Sequence, residues 1–400
     1  MEANQETGRG NELNGMSFAR WTAVAVTLLC AIVTVGCNGS KEELLTIDPT
    51  RAYIDAKATL FQAAEDQDPA TRSNAIEALA SAVGADAGAV YQQGLSDKAP
   101  VVRFAAAMAC GDIGFEPAKP ALLKMAADKK AEPDKRVFCA VIYALHQMGN
   151  TDHAGELGQL LFDDEREVRM NAAMAMGKMS EPSAIGPLKA LLVQERDDGV
   201  KIQVIESLAR LGDSESAEHI EGYTKGYFLD LRLVAIPALG RSGSRRAAGA
   251  LKDLVRERHP ARVRVAAAGE LARLGHSDKN SYQLCRDALA DPEAVLREAR
   301  KKSKKVADTD ARSLQCLAAL ALGWMGRPAA VNALHPMLKN PDGAKRVSAA
   351  TSTLRLLKAH KPSAPPAPKP APAATAPVAT QPVPVPVKPP AKLHTAGGKD

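Results

Sequence analysis

The chain has 400 residues, of which 46% are apolar, 4% aromatic and 24% charged, with a formal net charge of +6. Alanine and leucine dominate the apolar set while β-branched and aromatic residues are scarce, which argues against a β-sandwich or barrel. The charge excess is uneven: residues 361–400 hold five Lys and one Asp, leaving 45 basic against 42 acidic groups over 37–360. A body so close to balance lacks the footprint of a nucleic-acid binder.

From Trp21 to Gly36 the run WTAVAVTLLCAIVTVG carries no charge and no proline for 16 residues, with Arg20 before it and Cys37 after it. It is short for a membrane span, which takes ~20 residues, and fits the apolar stretch of a secretory signal. The first 15 residues are polar and acidic, whereas Met16 opens MSFAR with Arg20 as its positive charge, so translation is expected to start at Met16. Val33, Thr34, Val35 and Gly36 before Cys37 resemble a bacterial lipoprotein signal, the lipobox, with Thr34 where that family usually has Leu. The resemblance implies that 1–36 is a signal peptide, that Cys37 carries a diacylglyceryl group and a further acyl chain, and that 37–47 is a linker. Asn38 stands where Asp would favour retention at the inner membrane, which points to the outer membrane, facing the periplasm. Several acyl chains anchor stably where one gives only marginal binding. An uncleaved anchor helix, or a signal removed without lipidation, is the alternative.

The stretch 68–356 repeats itself, as in VRFAAAMACGDIG from Val102, VRMNAAMAMGKMS from Val168 and VRVAAAGELARLG from Val263. Taking the second letter as anchor gives Arg72, Arg103, Phe138, Arg169, Lys201, Arg232, Arg264, Gln315 and Arg346, spaced 31, 35, 31, 32, 31, 32, 51 and 31 residues apart. The long interval holds a truncated unit at 291–310: DPEAVLREA restarts the motif at Asp291 and supplies one helix. Small residues three and four after the anchor, such as Ala106 and Ala107 or Ala172 and Ala173, share one helical face and let a neighbouring helix approach. Eleven after it stand Gly114, Gly149, Gly212, Gly243, Gly275 and Gly326, suited to the left-handed conformation that stops a helix. A second apolar run follows each stop, so each unit is a helix, a turn and an antiparallel helix. Neither helix buries its stripe alone; the units must stack into an all-α solenoid over 48–360.

The order of aspartate, Val-Arg, Ala-Ala, Leu-Gly and a second helix resembles the HEAT-repeat family, in the short class typified by phycobilisome lyases. In such families acid–cation pairs form ladders between units, which implies that Asp97, Asp164, Asp198 and Asp230 pair with the anchor cations. Phe138 interrupts the row, with Arg136 as the candidate substitute. The concave side, expected from the second helices, would take protein partners. Lyase or chaperone activity on a chromoprotein is the enzymatic alternative that the resemblance carries.

Chemistry is hard to find. Cys110, Cys139, Cys285 and Cys316 show no metal-ligand spacing and read as small core residues; a Cys110–Cys139 bridge between neighbouring units is the one pairing considered. None of the eight His is followed by Glu, so the His-Glu iron ligands of the HEAT-like deoxyhypusine hydroxylases are missing, as is His-Glu-x-x-His. Ser242 sits in a near-imitation of a nucleophile elbow but at a helix end. No catalytic, cofactor or metal residue is expected. One surface stands out: Arg297, Arg300, Lys301, Lys302, Lys304 and Lys305 crowd the truncated unit against Glu298 and are candidates to contact an acidic partner or anionic lipid.

Residues 361–400 hold 12 Pro and form no helix or core; a disordered, extended tail is expected. The sequence thus reads as an exported, lipid-anchored scaffold for protein–protein interaction at the cell envelope. An envelope spacer, using tail and lipid to tie layers together, is the structural alternative.

Overall fold

A computed structural model describes residues 43–128, 130–302 and 309–360. The expected signal peptide, Met16, Cys37 and the 361–400 tail lie outside the described residues. The chain opens with α1 (Pro49–Ala63). Seven helix pairs follow, anchor-bearing helix first: α2 (Pro69–Ala82) with α3 (Gly88–Gly94), α4 (Pro100–Ile113) with α5 (Lys119–Ala127), α6 (Lys135–Gln147) with α7 (Glu156–Leu160), α8 (Arg166–Met179) with α9 (Ile185–Gln194), α10 (Asp198–Arg210) with α11 (Ser214–Thr224), α12 (Leu229–Arg241) with α13 (Ala247–Leu254), and α14 (Ala261–Arg273) with α15 (Lys279–Ala290). Then α16 (Pro292–Lys302) stands alone before an eighth pair, α17 (Ala311–Trp324) with α18 (Val331–Leu334), and α19 (Gly343–Leu356) ends the array. No strand occurs among the described residues.

Local chemistry sets the helix ends. Asp48, Asp68, Asp134, Asp197, Asp310 and Asp342 accept backbone N–H bonds as N-caps. All six glycines eleven after an anchor take φ between 60° and 92°. The same slot after Arg169 is filled by Ser180 at φ 60°, a conformation that costs a non-glycine residue stability.

The anchor-bearing helices pack tightly on one another, while the second helices pack mainly on them and not on each other. The reason lies at the eighth position after the anchor. A Cβ built on Gly177 would come within 2.7 Å of Ser207 Cα, and one on Gly323 within 2.9 Å of Ser352 Cα, so only glycine allows the next helix so near. The layer with the closer spacing must lie inside the curve. The concave side is therefore built from the first helix of each unit, and the expectation that the second helices form it is corrected.

The curve closes. α19 packs on α2, and α1 packs more extensively on α19 than on its own successor, so the N-terminal helix serves as the outer helix of the ninth unit. Ala52, Tyr53, Ala56 and Leu60 of α1 join the same core as Ala349, Ala350 and Leu354 of α19. Thr46 donates to Asn332 Oδ1 (2.9 Å), Asn332 donates back to Leu44 O (2.8 Å), and His335 Nε2 meets Asp55 Oδ2 at 3.1 Å. An open solenoid needs polar end units; a ring of nine units leaves no end to cap.

A ladder of arginines runs round part of the ring. Arg72, Arg103 and Arg169 each donate from Nη1 to two carbonyls of their own preceding turn and through Nε and Nη2 to Asp97, Glu132 and Glu195 of the next unit. Arg346 makes the rung that shuts the ring, donating from Nη2 to Asp66 Oδ2 (2.7 Å) while Nη1 holds Asn340 O and Pro341 O. The accepting acid always stands six residues before the next anchor. Of the expected acids only Asp97 has that place; Glu195 and Asp163 act instead of Asp198 and Asp164. At Phe138 the substitute is Lys135, which reaches Asp163 at 2.7 Å, whereas Arg136 turns to Asp134 in its own loop. Where the sixth position holds Gly226, Arg258 or Asn340 no acid is there to accept: Lys201 bonds Asp198, Arg232 the carbonyl of Thr224 and, in the next unit, His259 Nδ1 at 3.0 Å, and Gln315 the carbonyl of Leu289.

Three outcomes are expected from denaturant unfolding. Arg346→Met loses about 1–3 kcal/mol, as much as the internal Arg72→Met, because a charged donor is removed in both. Gly177→Leu loses a similar ~1–3 kcal/mol by wedging α8 from α10. Arg169, aided by two backbone N–H groups and opposed by burial, holds the Glu195 carboxyl down to about 2 from an ordinary 4.5. Since the folded value is the lower one, this stabilisation is complete above the ordinary value and is lost as pH falls from 4.5 towards 2. Glu195→Gln should accordingly show a flatter stability profile over that window.

Candidate functional site: the inner wall and the basic helix

Each inner helix ends on the same rim of the ring, so residues nine after the anchor are gathered there: Asp112, Lys178, Arg210, Arg241, Arg273, Trp324 and Arg355 among them. Cations in a last turn suit the helix dipole, and most are matched by acids of the same wall. Lys178 pairs with Asp112 at 2.6 Å, bridging over α6, where it lies 5.0 Å from the centre of the Tyr143 ring. Tyr143 donates its hydroxyl to Asp112 Oδ1 at 2.6 Å. Buried Glu206 accepts from both Arg210 (3.1 Å) and Arg241 (2.7 Å), and Arg273 donates to Glu270 (2.7 Å). Burial pushes the Glu206 carboxyl up, but the Arg241 hydrogen bond and charge, with Arg210, bring it below its ordinary value.

Glu77 stands on the inner wall at α2. Glu77 is exposed on that wall, yet desolvation by the surrounding protein raises its carboxyl pKa, with Lys178 opposing the rise and Asp112 adding to it. At the closing seam Glu77 borders a cleft of about 400 Å³ between α2, α17 and α19, with Ser81, Leu320 and Thr351 on its walls. One turn beyond, Arg355 stacks on Trp324 with its guanidinium 3.8 Å from the ring centroid. Its Nη1 is buried with no hydrogen-bond partner, and burial lowers its pKa. Trp324 is 41% exposed, so this cation–π pair forms an open patch on the rim.

The irregular unit carries a single helix, α16, whose Leu296 and Ala299 are buried while Arg297, Arg300 and Lys301 are exposed. Lys301 lies 3.4 Å from Glu298. Lys302 is in the same helix, its side chain outside the described residues; Lys304 and Lys305 also lie outside them. Tyr227 and Phe228, 80% and 66% exposed, were not singled out by the sequence. Phe228 occupies the N-cap place of α12, where six of the other inner helices put an acid, and makes no side-chain cap bond.

Cys110, Cys139 and Cys285 are free and buried, and burial pushes the first two thiols up to about 12, which suits inert core residues. The bridge considered between Cys110 and Cys139 is not formed. Ser242 is buried at the end of α12 and donates to Leu239 O at 2.8 Å, as a helix stop. Among the described residues no group of three or more His, Cys, Asp or Glu is placed to hold a metal ion. Nor is any described helix long and apolar enough to cross a membrane.

HEAT repeats are recognised over residues 57–136, 130–209 and 156–226. No curated protein sequence matches the chain. Among solved structures, human deoxyhypusine hydroxylase in complex with glycerol is 21% identical, covering 70% of this chain and 98% of its own, with a TM-score of 0.34. YibA of Escherichia coli is 20% identical over 66% of this chain and 97% of its own, with a TM-score of 0.30, and an engineered protein 16% identical over 76% and 99%, at 0.27.

Arg355→Met, checked by circular dichroism for an intact fold, is expected to shift Trp324 fluorescence, since it removes the guanidinium stacked on that indole. Trp21, also present in the full chain, serves as an invariant background in the difference spectrum.

Proposed function

We propose that the chain is an exported, lipid-anchored HEAT-repeat scaffold that binds other proteins at the cell envelope and carries no catalytic chemistry of its own. The observation that supports this best is the inner wall, a continuous surface of nine helices whose rim charges are mostly satisfied by one another while the Arg355–Trp324 pair stays open. Trp and Arg are the residue types that anchor protein interfaces. A closed ring also presents that wall already ordered, so a partner binds without the entropic cost of shaping it. The anchor rests on Gly36-Cys37 after an uncharged run, with the outer membrane as the proposed site of attachment.

The spacer reading draws on the 12 prolines of the tail, which would extend at about 3.1 Å per residue. Crosslinking on native envelopes separates the two. A scaffold yields protein partners that are lost with Trp324→Ala plus Arg355→Ala and kept when 361–400 is removed. A spacer yields the reverse, and tail removal weakens envelope integrity. Mass spectrometry of the mature N-terminus should find acylated Cys37, and an unmodified or absent Cys37 would refute the anchor.

A further inference from the structure

The basic helix and the place where the chain enters the fold are neighbours. Glu43, the first described residue, is held by Arg286 and lies 3.4 Å from the Tyr282 hydroxyl, both on α15. Only Asp291 separates α15 from α16, and the two helices pack together. Five residues separate Cys37 from Glu43, and the six steps between them, at ~3.5 Å each, span no more than about 21 Å. A lipid on Cys37 would therefore bring this side of the ring, and with it α16, to within a short reach of the bilayer.

α16 is built for such a surface. Its buried Leu296 and Ala299 fix it to the ring, and its outward side offers Arg297, Arg300 and Lys301. Arg297 and Arg300 make no ion pair with the described residues and Lys301 lies 3.4 Å from Glu298 of the same helix, whereas the ladder and rim cations are mostly tied to acids of other units. The helix is also surplus to the ring, which keeps its inner-wall packing from α14 directly to α17. We propose that α16 lays Arg297, Arg300 and Lys301 on the headgroups of an anionic phospholipid surface, fixing how the tethered ring faces the membrane. This rests on the lipid-anchor reading for its setting, but the contact itself is electrostatic and needs no acyl chain.

The test uses the full chain with Cys37→Ala, so that no acyl group contributes, and vesicles of phosphatidylcholine with or without phosphatidylglycerol. The apolar run 21–36 partitions into both compositions alike; the readout is the excess binding to the anionic vesicles. At about 1 kcal/mol per basic residue near the surface, R297E/R300E/K301E should reduce that excess about a hundredfold, and raised salt should erase it. The milder R297Q/R300Q/K301Q, checked by circular dichroism for an intact fold, should follow the same direction. Reversal of three exposed cations elsewhere, K98E/K124E/K339E, should leave most of it. Equal binding to both vesicles, no loss in the reversed chain, or equal loss in the control would overturn the proposal. So would salt-sensitive capture on polyglutamate beads without vesicle preference, which would indicate an acidic protein instead. The anchor is read separately: if mass spectrometry of the wild-type chain from cells finds Cys37 without an acyl group, that reading falls while the vesicle result stands or falls on its own.

Discussion

The close approach of one inner helix to the next governs this molecule. Alanines three and four residues after anchors such as Arg103, Arg169, Arg264 and Arg346, and glycines such as Gly177 and Gly323 eight after theirs, leave room for backbone where a larger side chain would hold the helices apart. Outer helices have no such requirement and sit further from one another. Unequal spacing of two layers is curvature, and over nine units it brings α19 back to α2. Closure then removes the exposed apolar end that a linear array must cap. The chain achieves it by splitting its ninth unit, with the outer helix at the start of the fold and the inner helix at its end.

Charge follows from that geometry. Packing the inner helices tightly brings their starting turns together, and an arginine there can hold its own loop and an acid of the next unit at once. Such bidentate, partly buried bonds are stronger than exposed ion pairs. They also consume the cations that a reader of the sequence would otherwise assign to a ligand. What remains are the departures from the repeat: the Arg355–Trp324 stack, Tyr227 and Phe228 in place of a capping acid, and the extra helix α16. Positions that break a local rule without a visible structural gain are where function is to be sought.

Much of the fold was legible because it is written several times over. The period, the glycine stops and the single helix of the irregular unit are visible in the spacing of the anchors alone. The choice of concave layer was not, because both helices of a unit carry apolar stripes and only the closeness of their neighbours distinguishes them. Ring closure was equally hidden: α1 reads as one more amphipathic helix, and nothing in its sequence names α19 as the surface it covers. The ladder was half readable, since the acids are in plain view but their register, six before the next anchor, emerges only when Arg72, Arg103 and Arg169 are seen reaching forward. The basic helix was visible in sequence, while its closeness to the entering chain depends on Glu43 and Arg286, residues 243 apart.

The most direct test of the ring is a pair of distances measured by double electron–electron resonance with spin labels on exposed loop positions. Gln67 and Lys98 lie at equivalent places in adjacent units, five residues before Arg72 and Arg103, and Pro341 lies at the same place before Arg346. A closed ring predicts that the Gln67–Pro341 separation matches the Gln67–Lys98 separation, both short and narrow. A Gln67–Pro341 distribution that is long and broad would mean an open array, and the account of how this chain buries its ends would be wrong.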